Sequence, residues 1–322
     1  MPWFDLSEAE LRDYRISTPE PDDLDAFWAT RLAEAADAAT PPTLTRHAED
    51  AYGAVRVHDV EFSGARGDRI RGWFLQPPGA RDVPVVVTFI GYGGGRGLPV
   101  EHLALPAIGI AAFVMDTRGQ GGGWTTGSTG DPGRETDGPE YPGVMTRGIT
   151  SPETYYYTRL MTDAARAVQV AAALDGVDPA RLAVQGISQG GGLALAAAAL
   201  QPDLVSVCQA DVPFLCDLQR AVGLTGEFPY REVANFLSQQ VDLADRALDT
   251  LRYVDCALLA RRIRATTLMS VGLMDETCPP STVFAAYHEI SAPKEIAVHA
   301  FGGHAVPGAH LERRLRHLRA TL

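Results

Sequence analysis

The stretch from Leu182 to Ala196 constrains the fold of this chain more than any other stretch. An apolar run ends at Gly186, Ser188 follows two residues later, and an alanine-rich helical pattern begins at once. A strand, a tight turn and a helix in immediate succession predict a sharp elbow, where side chains at Gly186 and Gly190 would crowd the neighbouring backbone. Such an elbow presents the Ser188 hydroxyl beside the first backbone N–H groups of the helix, which favour negative charge.

In this strand–turn–helix context, the Gly-x-Ser-x-Gly pattern is typical of the nucleophile elbow of α/β-hydrolases. The alternative is a chance match, in which the glycines only allow an alanine-rich helix to pack closely. Both flanking elements are present in the pattern, and we therefore interpret Ser188 as a catalytic nucleophile.

A serine hydroxyl is a weak nucleophile until a base removes its proton and an acid orients that base. In α/β-hydrolases the acid and then the histidine follow the serine along the chain. Asp275 lies a few residues past a predicted strand over 266–271, at the sheet edge where ligands bind. His304 follows the next predicted strand in a Gly-Gly-His loop. We predict that Asp275 and His304 complete a triad with Ser188, and that activity falls at acid pH as the base protonates.

Two other acids stay open as the third member of the triad. Glu276 adjoins Asp275, and Asp211 follows a predicted strand over 204–209. Other histidines fall on predicted strands or helices, where we expect surface or packing roles: His58, His288, His310 and His317.

Two backbone N–H groups are predicted to stabilise the oxyanion. One belongs to Gln189, which follows the nucleophile, and the other should come from the loop after an early strand. The glycine-rich stretch Gly91–Gly95 occupies that place, and we assign the N–H of Tyr92. A phosphate-binding role for these glycines is the alternative, but no Lys-Ser or Lys-Thr follows them.

The remaining pattern predicts an α/β fold of the α/β-hydrolase type, with a doubly wound, mostly parallel sheet. An N-terminal helical extension over 1–45 and an antiparallel β-hairpin over 55–77 precede that sheet. Strands are predicted over 83–90, 108–115, 182–187, 204–209, 266–271 and 295–301, and helices at about 153–174, 189–200, 281–290 and 307–321. We predict a single domain over 1–322, with insertions at 119–152 and 212–262 that border the active site or form subunit contacts.

Composition and charge limit the partners and the compartment. The 322 residues carry a net charge of −12 without a basic run, which argues against nucleic acid and anionic membranes as partners. No apolar run approaches the roughly 20 residues of a membrane span, and the acidic N-terminus lacks a signal-peptide core, so we expect a cytoplasmic protein. The predicted chemistry needs no metal or organic cofactor. Four cysteines without Cys-x-x-Cys spacing are expected to be buried free thiols: Cys208, Cys216, Cys256 and Cys278.

With the triad assigned, the chain resembles the acetyl xylan esterase/cephalosporin-C deacetylase family of carbohydrate esterases. The three motifs that mark that family have counterparts at Arg118-Gly119-Gln120, at Gly186–Gly190 and at His304-Ala305. The likeness runs nearly end to end and includes Met-Pro-Trp-Phe-Asp-Leu at the start, Tyr141-Pro-Gly-Val-Met-Thr-Arg-Gly, Tyr155-Tyr-Tyr and Asp211-Val-Pro-Phe-Leu-Cys.

The resemblance implies a serine ester hydrolase that deacetylates small acetylated sugars and cephalosporin C and assembles as a ring-like homohexamer. Arg118, Gly119 and Gln120 are interpreted as structural residues that hold an insertion beside the site. Ala305 replaces the glutamate of the family's His-Glu motif, which is not part of the triad, so hydrolysis is expected to survive. The alternatives are a peptidase or longer-chain esterase on the same fold, an acyltransferase, and a non-catalytic binding protein.

Overall fold

The computed structural model describes residues 4–48, 50–132 and 142–322. Within these residues the strands are β1 (Thr43–Arg46), β2 (Arg56–Ser63), β3 (Arg69–Gln76), β4 (Val83–Phe89), β5 (Ala111–Met115), β6 (Val177–Ile187), β7 (Val207–Asp211), β8 (Thr266–Gly272) and β9 (Lys294–His299). They form one sheet in the order β1-β2-β3-β5-β4-β6-β7-β8-β9.

The sheet is mostly parallel, as predicted. Strands β5, β4, β6, β7, β8 and β9 run parallel to one another, whereas β1, β2 and β3 join antiparallel. The predicted hairpin is confirmed, because β2 and β3 pair along their whole length. The helical extension predicted over 1–45 is wrong at its end, because α2 ends at Asp37 and the edge strand β1 begins at Thr43. The four residues of β1 are all exposed, so the sequence lacks the apolar alternation that marks a half-buried strand.

Helices connect these strands. They are α1 (Glu8–Asp13), α2 (Leu24–Asp37), α3 (Ala104–Ala107), α4 (Tyr156–Ala172), α5 (Gln189–Leu200), α6 (Leu218–Leu224), α7 (Tyr230–Gln239), α8 (Ala244–Arg252), α9 (Cys256–Leu259), α10 (Pro280–Glu289) and α11 (Gly308–Thr321). The four helices predicted after the hairpin are present as α4, α5, α10 and α11.

The central parallel strands are buried on both faces, whereas only Ala297 is buried on the edge strand β9. On β4, Val85 and Val87 enter one apolar cluster, with residues of α4 and α5, whereas Val86 enters a second cluster. Leu105 of α3 and Leu318 of α11 belong to that second cluster. Because neighbouring residues of a strand point to opposite faces, helices must cover both sides of the sheet. The doubly wound arrangement is therefore confirmed.

The N-terminal helices pack on the body of the fold. Leu24, Phe27 and Trp28 of α2 are buried, and Leu32 is partly buried against the same apolar cluster. The indole N–H of Trp28 donates to the carbonyl of Tyr253 at 2.9 Å.

The two predicted insertions differ in structure. The segment 212–262 contains α6, α7, α8 and α9, and α9 packs on α5 and α10. The described parts of the other segment, 119–132 and 142–152, contain no helix or strand. Their status as insertions into a single domain remains a prediction.

Several strand boundaries differ from the prediction: β6 begins at Val177, five residues before the predicted start, and β9 ends at His299, two residues before the predicted end. The strand predicted over 108–115 begins only at Ala111, since Gly109 adopts a φ of +85° in the preceding turn. The run predicted over 204–209 forms β7 further along, so Asp211 ends the strand and does not follow it.

All four cysteines are buried and free, as predicted. In the described ranges, no helix is both long enough and apolar enough to cross a membrane.

Candidate active site

Ser188 lies on a strained turn between β6 and α5. Its φ of 58° and ψ of −121° are rare for a residue with a side chain. A Cβ atom at Gly186 would lie 2.1 Å from the carbonyl carbon of Gly190, and one at Gly190 would lie 2.3 Å from the carbonyl oxygen of Phe89. The two glycines therefore allow the strand and the helix to approach closely enough for the turn to form.

The three predicted triad residues meet above this turn. The Oγ of Ser188 lies 2.9 Å from the Nε2 of His304. The Nδ1 of His304 lies 2.8 Å from the Oδ2 of Asp275. A serine, an imidazole and a carboxylate in this order can transfer the hydroxyl proton to the ring while the carboxylate holds the ring.

Asp275 is buried and oriented by backbone. Its Oδ1 accepts the N–H groups of Thr277 and Cys278 at 2.9 and 2.8 Å, which leaves Oδ2 for the histidine. The alternative acid Glu276 is exposed, and the Nδ1 of His304 faces Asp275 instead. Ala305 is exposed too, so the three side chains come together without the glutamate of the family motif.

Asp211, the other alternative acid, has a different histidine partner. Its Oδ1 lies 2.8 Å from the Nε2 of His310 and accepts the hydroxyl of Ser270 at 2.7 Å. Burial by itself would raise the pKa of Asp211, but the hydrogen bond with His310, the charge of Arg314 and the hydrogen bond from Ser270 together lower it. Of the surface and packing roles expected for His310, the structure shows a packing role, because this side chain is buried and its polar contact joins α11 to β7.

The predicted oxyanion donors lie at the start of α5 and in the loop after β4. Gln189 is the first residue of α5, so its N–H has no partner within the helix. Tyr92 and Gly91 line the cavity that contains Ser188. The assignment of the Tyr92 and Gln189 N–H groups as oxyanion donors remains a prediction that this arrangement supports.

The side chain of Tyr92 is anchored in the second insertion. Its hydroxyl donates to the Oε1 of Glu232 on α7 at 2.6 Å and accepts the N–H of Val144 at 3.2 Å. The other oxygen of Glu232 accepts the N–H of Met145 at 3.0 Å. Burial raises the pKa of Glu232, and the hydrogen bond from Tyr92 opposes that rise. Both predicted insertions therefore touch the loop that carries the predicted oxyanion donor.

The Arg118-Gly119-Gln120 motif makes two separate sets of contacts. The guanidinium of Arg118 is fully buried and pairs with Asp163 at 2.5 Å. The side chain of Gln120 instead accepts the N–H of Gly93 at 2.6 Å. Gly119 has a φ of +66°, a conformation that favours glycine.

The triad opens into a cavity of about 610 Å³. Trp124 and Phe228, both more than half exposed, form part of its wall together with Ile90 and Ile187. A space of this size is far larger than an acetyl group, so the cavity also has room for the alcohol of an ester.

One group of three potential metal ligands occurs among the described residues: Asp275, Cys278 and His304, whose ligand atoms lie within 4.8 Å of one another. Asp275 and His304 use their facing atoms in a hydrogen bond to each other. Burial raises the pKa of the Cys278 thiol well above its ordinary value, whereas a metal needs the thiolate. The donor set therefore suits proton transfer better than metal binding.

Several residues of the site were not predicted from the sequence. Glu232 and Arg314 lie on amphipathic helices far along the chain, where nothing in the pattern distinguishes them from other surface residues. Tyr157 donates its hydroxyl to the side chain of Gln189 at 3.0 Å, and Tyr156 accepts from Gln120 at 2.9 Å. The run of three tyrosines was the only signal for these two contacts.

Comparison with known proteins gives consistent matches over the whole chain. The family model described as acetyl xylan esterase (AXE1) matches residues 1–321. The curated acetyl esterase Axe7A of Xylanibacter ruminicola is 28% identical over 298 residues, which are 89% of this chain and 64% of that protein. This chain therefore corresponds to somewhat less than two thirds of that relative.

Two solved structures are similar over nearly their full length. The acetyl xylan esterase from Paenibacillus sp. R4 is 36% identical with a TM-score of 0.92, and the match covers 98% of this chain and all of that one. Acetyl xylan esterase 1 from Thermoanaerobacterium sp. is 31% identical with a TM-score of 0.92, and the match covers 99% of both chains. Together with the sheet order, these matches confirm the predicted α/β-hydrolase fold.

Proposed function

The chain belongs to the acetyl xylan esterase family, and from this premise we propose that it is a serine esterase that removes acetyl groups from small acetylated xylan fragments and from similar acetyl esters. The observation that carries the proposal is the chain of hydrogen bonds from Ser188 through His304 to Asp275, which opens into a cavity with room for a sugar.

In the proposed reaction, the Oγ of Ser188 attacks the acetyl carbonyl carbon while the Nε2 of His304 takes the hydroxyl proton. The backbone N–H groups of Tyr92 and Gln189 stabilise the negative oxygen of the tetrahedral intermediate. His304 then gives its proton to the departing alcohol, and an acetyl ester of Ser188 remains. Water, deprotonated by the same ring, attacks this ester, and the ring returns the proton to the Oγ of Ser188 as acetate leaves.

The test compares acetate release by the wild type and by Ser188→Ala from acetylated xylo-oligosaccharides and from cephalosporin C. We expect release by the wild type and a loss of roughly 10⁴–10⁶-fold in the variant. Ser238→Ala, at an exposed serine on α7, is the control and should behave as the wild type.

The other outcomes separate the rival functions. Cleavage of longer-chain esters but not acetyl esters would keep the nucleophile and reject the substrate. Cleavage of an anilide at a comparable rate would favour a peptidase. An ester product formed with an added alcohol would indicate an acyltransferase, and no turnover of any of these compounds would leave the binding-protein hypothesis.

A further inference from the structure

The cavity that contains Ser188 extends well beyond the triad, over the sheet face that α11 partly covers. Its wall away from the triad includes Thr88 of β4, Gln185 of β6 and Arg314 of α11. None of these three side chains takes part in the proposed reaction. We call the part of the cavity that these three side chains line the donor pocket.

Arg314 is held rigidly in this wall and is only 8% exposed. Its guanidinium donates two hydrogen bonds, from Nε to Gln209 Oε1 at 3.3 Å and from Nη2 to Gln185 Oε1 at 2.6 Å. Its Nη1 lies 3.0 Å from Asp211 Oδ2, which is an ion pair without the geometry of a hydrogen bond. A guanidinium carries five N–H groups, so these two hydrogen bonds leave three for other acceptors. Because the plane is fixed by three partners, a ligand would lose little entropy in ordering it.

The amide of Gln185 adds a further donor. Its oxygen accepts from Arg314, and its Nε2 donates one hydrogen to the hydroxyl of Thr88 at 2.9 Å. The second hydrogen of that Nε2 is left for a ligand. Asp211, which balances the charge of Arg314, is 0% exposed and is not part of the cavity wall. A group in the cavity therefore meets the N–H donors of Gln185 and Arg314, and not the carboxylate that balances the Arg314 charge.

The donor pocket lies too far from Ser188 to be reached by an acetyl group. Gln185 precedes Ser188 by three residues, which in an extended strand is about 10 Å. The wall between them is apolar and includes Ile90 and Ile187. Only the alcohol part of the ester can span that distance, because the acetyl group must lie at the oxyanion donors.

We propose that the donor pocket binds a carboxylate on the alcohol part of the substrate, so that the enzyme prefers acetyl esters whose alcohol has an apolar body and an acidic end about 10 Å from the ester. The preference among acetyl esters rests on the proposed esterase function. The binding of the acid itself does not depend on that function.

The kinetic test uses three acetyl esters of one phenol framework: 3-(4-acetoxyphenyl)propanoate, its primary amide, and 4-propylphenyl acetate. The saturated spacer keeps the reactivity of the phenol leaving group similar in all three. For the wild type at pH 8 we expect kcat/KM for the carboxylate to exceed that for the amide and the propyl compound by about tenfold or more.

Substitution of Arg314 should remove this preference. For Arg314→Gln the measured quantity is the ratio of kcat/KM for the carboxylate to kcat/KM for the propyl compound. A general folding defect lowers both values and leaves this ratio unchanged. Thr88→Val, which removes one hydroxyl from the donor pocket, should reduce the ratio less. Arg316→Gln, at an exposed residue of the same helix, is the matched control and should keep the wild-type ratio.

A binding measurement separates this inference from the proposed function. Calorimetry with Ser188→Ala compares 3-(4-hydroxyphenyl)propanoate with 4-propylphenol in the absence of turnover. Tighter binding of the acid, lost when Arg314→Gln is added, supports the donor pocket even if no ester is cleaved. Equal binding of the two phenols, or a wild-type ratio near one, would overturn the inference while leaving the esterase function intact.

Discussion

Gln120 and Gln189 are joined side chain to side chain, with the Nε2 of Gln120 3.0 Å from the Oε1 of Gln189. Gln120 also accepts the N–H of Gly93, and Gln189 donates to the carbonyl of Ile90 at 3.2 Å. This pair of amides therefore fixes the loop after β4 against the start of α5. The predicted oxyanion donors lie on those two elements, so the structural role of Gln120 bears directly on the proposed chemistry.

Gln120→Leu should lower kcat by about 10²–10³ and change KM less, because misplaced N–H donors stabilise the transition state poorly. Gln120→Glu keeps an acceptor for Gly93 but loses the donor to Gln189, so a smaller loss is expected. Steady-state kinetics on 4-nitrophenyl acetate measures kcat and KM of the two variants, with Gln239→Leu on α7 as the control. A rise in KM without a loss of kcat would show that Gln120 acts on substrate binding instead.

Asp275→Asn tests whether the acid sets the proton position on His304. The backbone N–H groups of Thr277 and Cys278 require an oxygen, so the amide oxygen of Asn should replace Oδ1 and its NH₂ should face the Nδ1 of His304. The ring then carries its proton on Nε2 and cannot accept one from Ser188. We expect kcat to fall by about 10⁴.

The control for this experiment is the stability of the variant. The fold should be retained, because Asn has nearly the same shape and keeps both backbone contacts. An activity close to that of the wild type, with the same melting temperature, would contradict the assigned role of Asp275 and would reopen the choice of acid.

Much of the fold could be predicted from local patterns. Apolar runs predicted the central parallel strands because both faces of those strands are buried. The glycines of the elbow predicted the turn because any side chain there would clash. The positions of Asp275 and His304 followed from the rule that ligands meet the carboxyl ends of parallel strands, and the structure brings both to Ser188.

The partners of the buried polar side chains could not be predicted in this way. His310 contacts Asp211 across 99 residues, and Glu232 contacts Tyr92 across 140. Both contacts depend on where α11 and α7 pack against the rest of the molecule. Helical periodicity shows which face of a helix is apolar, but it does not show what the polar residues at its border will meet.

The hydrogen bond between Tyr92 and Glu232 should stabilise the fold. Tyr92→Phe leaves a buried carboxylate without one of its donors, and we expect the free energy of unfolding to fall by about 1–3 kcal/mol. Glu232→Gln combined with Tyr92→Phe should destabilise less than the sum of the two single changes, since no charge is then left unpaired. Urea unfolding of the wild type, the two single variants and the double variant gives the coupling energy. If the changes in the free energy of unfolding were strictly additive, the hydrogen bond between the two residues would contribute nothing.

Two neighbouring acids in the second insertion predict a pH-dependent stability. Burial, and next the charge of Asp217, raise the pKa of Asp255 to about 7. Asp255 accepts the N–H groups of Asp217 and Leu218 at 2.9 and 2.7 Å, contacts that oppose the rise but do not cancel it. Burial also raises the pKa of Asp217, although the hydroxyl of Tyr14 donates to it at 2.7 Å.

In the unfolded chain an aspartate loses its proton near pH 4, whereas folded Asp255 keeps its proton up to about pH 7. The folded state therefore binds more protons between these values, and this contribution to stability is full below pH 4 and is lost as the pH rises through 7.

Asp217→Asn removes one carboxyl whose pKa is raised, and it also removes the charge that raises the pKa of Asp255. Relative to the wild type, the variant should gain free energy of unfolding from pH 5 to pH 8, by at most about 1.4 kcal/mol per pH unit for each proton involved. Urea unfolding at pH 5, 6, 7 and 8 measures this difference, with Asp203→Asn at an exposed site as the control. A constant difference between variant and wild type over this range would mean that the two carboxyls titrate alike in the folded and unfolded chains.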